Sequence, residues 1–331
     1  MASRVKISIV SDIHYAGAAE RARANYEARA VTSRILRGAA VAWRRYLWLR
    51  DPFAHNHRLD RYLPSIGDAG LVVANGDYSC DSAFIGVADD AALASARECL
   101  NRLRGAAGDR MLATIGDHEL GKFSLFGGLG GLRLASWERC EKELGLRRFW
   151  RREIGNYVLL GVTSSLIALP VLQGETLPGE LPLWEALRAA HLAEIRAAFG
   201  TLAPGQKVLL FCHDPTALWF LHEEPEIRAK LGQVEATVLG HLHSRQVMRA
   251  SGWLAGMPRI SFLGHTARRL SSALNRARCW RDFHAMLCPS LAGLEAFKDG
   301  GHWEFELDPE GRQPVTRRFC PMPWSDEGKR D

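Results

Sequence analysis

The sequence predicts an α/β fold, because short apolar strands alternate with amphipathic helices and several of the strands end in polar turns. The strand Val5–Val10 runs into Ser-Asp-Ile-His, and the strand Leu71–Ala74 runs into Asn-Gly-Asp. Helical periodicity is clear at 89–105 and again at 183–200, where Gly200 ends the pattern. Folds of this class bind ligands at the carboxyl ends of their strands, so the polar turns are the candidate site.

Three later strands end in the same way. Met111–Ile115 runs into Gly-Asp-His-Glu, Val208–Phe211 into Cys-His-Asp-Pro, and Ala236–Leu239 into Gly-His-Leu-His. Further strands are predicted at Tyr157–Thr163, at Arg259–Leu263 and, with the alternation typical of an edge strand, at 302–308.

Composition restricts the classes of protein to consider. The 331 residues are 47% hydrophobic and 24% charged, which is ordinary for a globular protein, and the net charge of +6 favours acidic partners such as phosphates or an anionic membrane. The seven cysteines are scattered without C-x-x-C spacing, which argues against a disulfide scaffold or zinc ribbon. With no signal core and no apolar run long enough to span a bilayer, we expect a cytoplasmic location.

Domain organisation is predicted to be simple, with one domain over 1–331. The segment 15–69 is long for a connection between adjacent strands, and the Gly/Pro-rich apolar stretches 122–132 and 166–182 do not fit the core pattern. We interpret all three as insertions around the mouth of a site.

The polar residues at the five strand ends form one set of oxygen and imidazole donors. Each motif is weak alone, but five of them at strand ends are a strong signal. Oxygen and imidazole ligands suit Mn²⁺, Fe or Zn²⁺, and seven donors fit two ions that share a carboxylate. The predicted metal ligands are three carboxylates and four imidazoles: Asp12, His14, Asp77, Asp117, His213, His241 and His243.

With D-x-H, G-D, G-D-H-E, H and G-H-x-H in this order from Asp12 to His243, the chain resembles the calcineurin-like metallophosphoesterases. The resemblance implies a four-layer α-β-β-α sandwich of two mixed sheets, with two divalent ions, of which Mn²⁺ is our first expectation. One ion would be held by Asp12, His14, Asp77 and His243, and the other by Asp77, Asp117, His213 and His241.

Two neighbouring residues of the G-D-H-E turn have special roles under this resemblance. His118 would be the catalytic histidine that does not bind metal and that donates a proton to the leaving oxygen. Asp117 stands where the family has Asn, which lowers the charge of the site from about +2 to about +1. We therefore expect tighter metal binding than is usual in the family.

A basic amphipathic helix is predicted at about 33–50, inside the 15–69 insertion. Trp43 and Leu47 belong to its apolar face, and Arg44 and Arg45 to the opposite basic face. This pattern is typical of a helix that lies at a membrane surface, so these four residues are candidates for membrane or acyl-chain contact. The alternative is a lid that packs its apolar face on the core.

The expected reaction is metal-dependent hydrolysis of a phosphate ester or pyrophosphate. The basic helix and apolar insertions, together with His118, resemble the chlamydial-type UDP-2,3-diacylglucosamine pyrophosphatases of lipid A biosynthesis, which release lipid X and UMP. That resemblance implies peripheral association with the inner membrane. The alternatives are a soluble phosphodiesterase or nuclease of the same family, or a non-catalytic scaffold. A nuclease would need basic residues along a groove, so nucleic acid is the less favoured partner.

Overall fold

The ten strands of the computed structural model, which describes residues 4–24, 26–124, 128–260 and 265–324, form two five-stranded sheets. The first sheet has the strand order β10-β9-β1-β2-β3, and the second has the order β4-β5-β6-β7-β8. Each sheet is mixed, because one or two antiparallel pairs extend a parallel core. The strands are β1 (Val5–Val10), β2 (Leu71–Ala74), β3 (Met111–Ala113), β4 (Phe149–Ile154), β5 (Tyr157–Val162), β6 (Lys207–Cys212), β7 (Val234–Leu239), β8 (Ala285–Leu287), β9 (Gly301–Leu307) and β10 (Thr316–Pro321).

Helices connect these strands, and the two longest, α5 and α10, belong to the core on the outer sides of the sheets. The helices are α1 (Ala18–Arg21), α2 (Tyr26–Arg29), α3 (Arg34–Tyr46), α4 (Asn56–Tyr62), α5 (Asp90–Ala107), α6 (Asp117–Leu120), α7 (Leu134–Lys142), α8 (Ser164–Ile167), α9 (Leu169–Leu172), α10 (Leu181–Gly200), α11 (Ala217–Glu223), α12 (Pro225–Arg228), α13 (Arg245–Trp253) and α14 (His265–Arg276). No helix within the described ranges is both long and apolar enough to cross a membrane.

The core lies in layers on both sides of each sheet. Ile9 and Val73 of the first sheet pack against Leu159 and Phe211 of the second, and all four are buried. The residues on the other face of the strands, such as Val72, pack with the helices instead. Alternate strand residues therefore serve the two interfaces, and the predicted four-layer α-β-β-α sandwich is confirmed.

The register of the parallel strands brings the polar turns together. In the first sheet Val10 pairs with Ala74, and Ala74 pairs with Ala113. In the second sheet Phe211 pairs with Val238. Because these parallel strands end at one edge of each sheet, the residues that follow them meet there.

Two strand predictions differ from the structure. The strand at 302–308 is found as β9, but it lies between β10 and β1 and is not an edge strand. Polar and apolar residues alternate along β9 although the strand is not at an edge. The polar residue Glu304 forms ion pairs across the sheet with Lys6 of β1 and with Arg318 of β10. The strand predicted at Arg259–Leu263 is absent at 259–260, and 261–263 lie outside the described residues.

The insertion 15–69 contains α1 to α4, and α3 is almost wholly exposed. Ser33 caps it by accepting a hydrogen bond from the Leu36 N–H, and only Ala40 and Arg44 are buried along it. The Arg44 Nε lies 3.0 Å from a Glu27 carboxylate oxygen. Our placement of Arg44 on an outer basic face is therefore wrong, because this ion pair turns Arg44 inward, while Arg45 stays exposed.

Candidate metal centre

The seven predicted metal ligands come together at the edge where the parallel strands of both sheets end. Asp12 and His14 follow β1, Asp77 follows β2, and Asp117 opens α6 after β3. His213 follows β6, and His241 and His243 follow β7. All of these side chains are buried except His241, which is half-buried.

The donors form two groups, and Asp77 joins them. The donor atoms of each group lie within 4.8 Å of one another. Asp77 Oδ2 is 3.1 Å from His213 Nε2, so this carboxylate of the first group also reaches the second. The first group is Asp12, His14, Asp77 and His243, and the second is Asp117, His213 and His241.

Backbone carbonyls fix which nitrogen two of the imidazoles present to the centre. The Asn75 carbonyl accepts a hydrogen bond from His213 Nδ1 at 2.6 Å, and the Ser79 carbonyl accepts one from His14 Nδ1 at 3.3 Å. With Nδ1 protonated, each ring turns the lone pair of Nε2 inward. Hydrogen bonds of this kind, from the nitrogen that does not face the metal, orient metal-binding histidines.

Orphaned polar atoms show that the donor set fits divalent ions. Asp77 Oδ2, Asp117 Oδ2 and His213 Nε2 are buried without a hydrogen-bond partner among the described residues. The Nε2 atoms of His14 and His243 face each other at 3.2 Å. Buried carboxylates and facing lone pairs are costly unless a cation lies between them. Oxygen and imidazole donors without a thiolate match Mn²⁺, Fe or Zn²⁺.

The backbone of these turns is strained where the ligands are placed. Asp12, His14, Asp77, His241 and His243 all have φ between 48° and 60°, a region that L residues rarely adopt. Residues held in this way cluster at functional sites, where the surrounding structure enforces them.

The glycines of the G-D and G-H-x-H motifs are required by close approach. A Cβ at Gly76 would lie 2.8 Å from His213 Nδ1, and a Cβ at Gly240 would lie 2.2 Å from Ser11 Oγ. Any side chain at either position would displace the imidazole or the turn that holds it.

Glu119 is a functional residue that motif reasoning did not assign. Its carboxylate accepts hydrogen bonds from the backbone N–H groups of Gly116, Asp77 and Tyr78, at 2.9, 2.9 and 2.7 Å. It therefore ties the turn after β3 to the turn after β2. This completes the G-D-H-E turn: Asp117 faces the centre, and Glu119 holds the loop that carries Asp77.

His118 lies at the side of the centre and next to a cation. Its Nε2 is 3.7 Å from Asp77 Oδ2 and contacts the Lys122 ammonium. Burial and Lys122 hold the pKa of His118 well below the usual range, so the ring is neutral at pH 7. His118, Asp77 and Asp117 also form a compact trio of donors, so a ligand role is the alternative to a catalytic role for His118.

A cavity of about 360 Å³ opens beside the centre and reaches α3. His118, Lys122 and His243 line its inner end, and Trp43 and Trp48 line its outer part. The Trp48 and His243 rings lie 4.6 Å apart, and the Trp43 and Trp48 rings 6.3 Å apart, measured between centroids. A row of aromatic rings therefore connects the predicted interfacial helix to the metal centre.

No protein-family model matches the chain, and no curated protein matches it. Among solved structures, it is similar to a dimetal phosphatase from Danio rerio with a TM-score of 0.49 and 12% identity, over 95% of each chain. A purple acid phosphatase from yellow lupin aligns with 73% of this chain and 38% of its own, at a TM-score of 0.35 and 11% identity.

The phosphopantetheinyl hydrolase of Mycobacterium tuberculosis aligns with 85% of this chain and 93% of its own, at a TM-score of 0.34 and 14% identity. At these scores the likenesses are too distant to assign an activity. The function is therefore inferred from the strand order of this chain and from its own donor geometry.

Proposed function

We propose that the protein is a dimetal-dependent hydrolase of phosphate esters or pyrophosphates. The observation that carries the proposal is the pair of buried Asp/His groups that share Asp77 at the strand ends. Two divalent ions bound there would neutralise phosphoryl oxygens and activate water. One would be held by Asp12, His14, Asp77 and His243, and the other by Asp77, Asp117, His213 and His241.

The remaining residues of the site would act on the substrate directly or hold the ligands in place. His118 would hydrogen-bond the leaving oxygen, as a neutral imidazole in the buried environment described above. The Lys122 ammonium beside it would attract an anionic substrate to the cavity. Glu119 would be a positioning residue, because it contacts the backbone of Asp77 and not the cavity.

For the substrate we propose UDP-2,3-diacylglucosamine, a nucleotide-linked glycolipid, cleaved at a membrane surface. Its acyl chains would enter the 360 Å³ cavity, whose walls include apolar side chains of α3, α13 and α14. The exposure of α3 supports membrane contact over a plain lid, because a lid would bury its apolar side chains on the core. Ile35 and Tyr46 are instead 86% and 65% exposed.

The metal stoichiometry tests the reaction class. Wild-type protein loaded with Mn²⁺, Fe²⁺ or Zn²⁺ should hold about two ions per chain, and Asp77→Ala should lose both the ions and the hydrolysis of bis(p-nitrophenyl) phosphate. Asp60→Ala is the matched control, since Asp60 pairs with Arg102 on the surface. Fewer than one ion per loaded wild-type chain would contradict the proposal.

The substrate is tested by comparing acylated and deacylated forms. UDP-2,3-diacylglucosamine should be cleaved with a kcat/KM at least tenfold above that of UDP-glucosamine, because only the former fills the apolar cavity. Equal rates for the two would contradict the lipid substrate. Preference for a cyclic nucleotide or for DNA over both would replace it with a soluble phosphodiesterase.

A further inference from the structure

A second cavity, of about 350 Å³, adjoins the first but differs from it in chemistry. Pro215, Thr216, Ala273 and Trp280 line both cavities, so the two share a wall. Pro215 lies two residues after His213, which places this wall directly beside the metal centre. The second cavity therefore lies close to the metal centre.

The second cavity is aromatic and positively charged. Trp219, Phe220 and Trp280 line it together with Arg259 and Arg276, and no acidic side chain is among its described lining residues. The cavity therefore combines flat apolar walls with two guanidinium groups.

The two arginines are placed to receive an anion. The Arg276 guanidinium lies 4.5 Å from the centre of the Trp219 ring, a cation–π contact that orders the side chain. Neither Arg276 nor Arg259 forms an ion pair with a carboxylate of the described residues. An ordered guanidinium without an acidic partner is the usual recognition group for a phosphate.

We propose that this second cavity binds a nucleoside monophosphate. The arginines would bind the phosphate, and the aromatic walls would enclose the base. A cavity of about 350 Å³ is in the size range of small-molecule pockets, so it has room for a base and a ribose beside the phosphate. The inference rests on the proposed function, because it assigns the two ends of one substrate to two cavities: acyl chains to the first and the nucleotide to the second.

Calorimetric titration of the metal-loaded protein with UMP, uridine and inorganic phosphate tests this assignment. UMP should bind at least tenfold more tightly than uridine or phosphate, because it uses both the arginines and the aromatic walls. Arg276→Gln and Arg259→Gln should each weaken UMP binding at least fivefold. Arg281→Gln is the matched control, since Arg281 is exposed, close in sequence to Arg276, and outside the cavity.

Two outcomes would overturn the proposal: no UMP binding by the wild type, or unchanged UMP affinity in both arginine variants. Arg259 is exposed, so its variant is expected to fold even if Arg276→Gln does not. Hydrolysis of bis(p-nitrophenyl) phosphate by the wild type, measured in parallel, separates this inference from the proposed function. If the protein hydrolyses the ester but does not bind UMP, only the proposal of a second site is contradicted. If it binds UMP but hydrolyses no ester, only the proposed reaction is contradicted.

Discussion

Glu119 holds Asp77 through the backbone: the Glu119 carboxylate accepts the Asp77 N–H at 2.9 Å, with Asp77 at φ 59°. The same carboxylate also accepts the N–H groups of Tyr78 and Gly116. One buried side chain thus fixes two of the turns that carry predicted metal ligands, and it does so without lining the cavity beside the centre.

Glu119→Gln should lower both stability and metal affinity. The amide NH₂ of Gln cannot accept, so at least one of the three N–H groups loses its partner, at a cost of about 1–3 kcal/mol. Thermal unfolding and metal titration should both show the loss. Glu138→Gln is the control, because Glu138 forms only an exposed pair with Lys142. If Glu119→Gln binds metal as tightly as the wild type, the proposed positioning role of Glu119 is contradicted.

His118→Ala should lower kcat by roughly 10²–10⁴ while the metal content stays at the wild-type value. His118 belongs to neither of the two donor groups that would hold the ions, so its loss should leave the metal content unchanged. Steady-state kinetics and metal analysis on the same preparation test both parts. Metal lost along with activity would identify His118 as a ligand.

Asp117→Asn should weaken metal binding, because it removes a negative charge from the centre. Asp117 Oδ1 is 2.8 Å from His241 Nδ1 and 3.2 Å from His213 Nε2, so it faces the donors of its group. With less negative charge near the ions, water should ionise more readily, and the activity should rise at a lower pH than in the wild type. Metal titration and a pH–rate profile measure these effects. If neither changes, Asp117 does not bind metal.

Membrane contact by α3 should depend on Arg34 and Arg45, which are exposed, and not on the buried Arg44. Each Arg near an anionic surface contributes about 1 kcal/mol, so the double change to Glu should weaken sedimentation with phosphatidylglycerol vesicles at least tenfold. Trp43→Ser should slow turnover of the acylated substrate. The double change of Arg147 and Arg152 to Glu, at two exposed positions outside α3, alters the net charge by the same amount and is the control. If the wild-type protein does not sediment with these vesicles, membrane contact is contradicted and α3 is a lid.

The fully buried His191 should make stability depend on pH between about 6.5 and 4. Its Nε2 accepts the Thr163 N–H, and burial lowers the pKa of His191 to about 4. As the pH falls below 6.5, His191 becomes protonated in the unfolded chain but stays neutral in the folded chain, so the free energy of unfolding decreases. The total loss is on the order of 3 kcal/mol. Denaturant unfolding at pH 7 and pH 5 should show a smaller decrease in His191→Gln than in the wild type, and equal decreases would contradict this.

The strands that end in polar turns could be predicted from the sequence because apolar runs and turn residues are local signals. Asp12, Asp77 and His213 were found in this way, since parallel strands deliver their ends to one edge. The role of Glu119 could not be found. Its three donors lie at 77, 78 and 116, and no local pattern shows that these amides converge on one carboxylate.

The sequence also could not predict which face of α3 packs against the core. A helical pattern identifies an apolar face but does not say whether the core or solvent meets it. The ion pair between Arg44 and Glu27 decides this, together with the small Ala40 beside it. The row from Trp43 through Trp48 to His243 likewise depends on tertiary contacts between segments about two hundred residues apart.

The origin of the donors has a consequence for how the molecule is assembled. All three carboxylates follow strands of the first sheet, while His213, His241 and His243 follow strands of the second. Ions bound between these residues would cross-link the two sheets at one end of the interface between them. Neither sheet could complete the centre alone, so metal capture would be a late event in folding that locks the sheets after they dock.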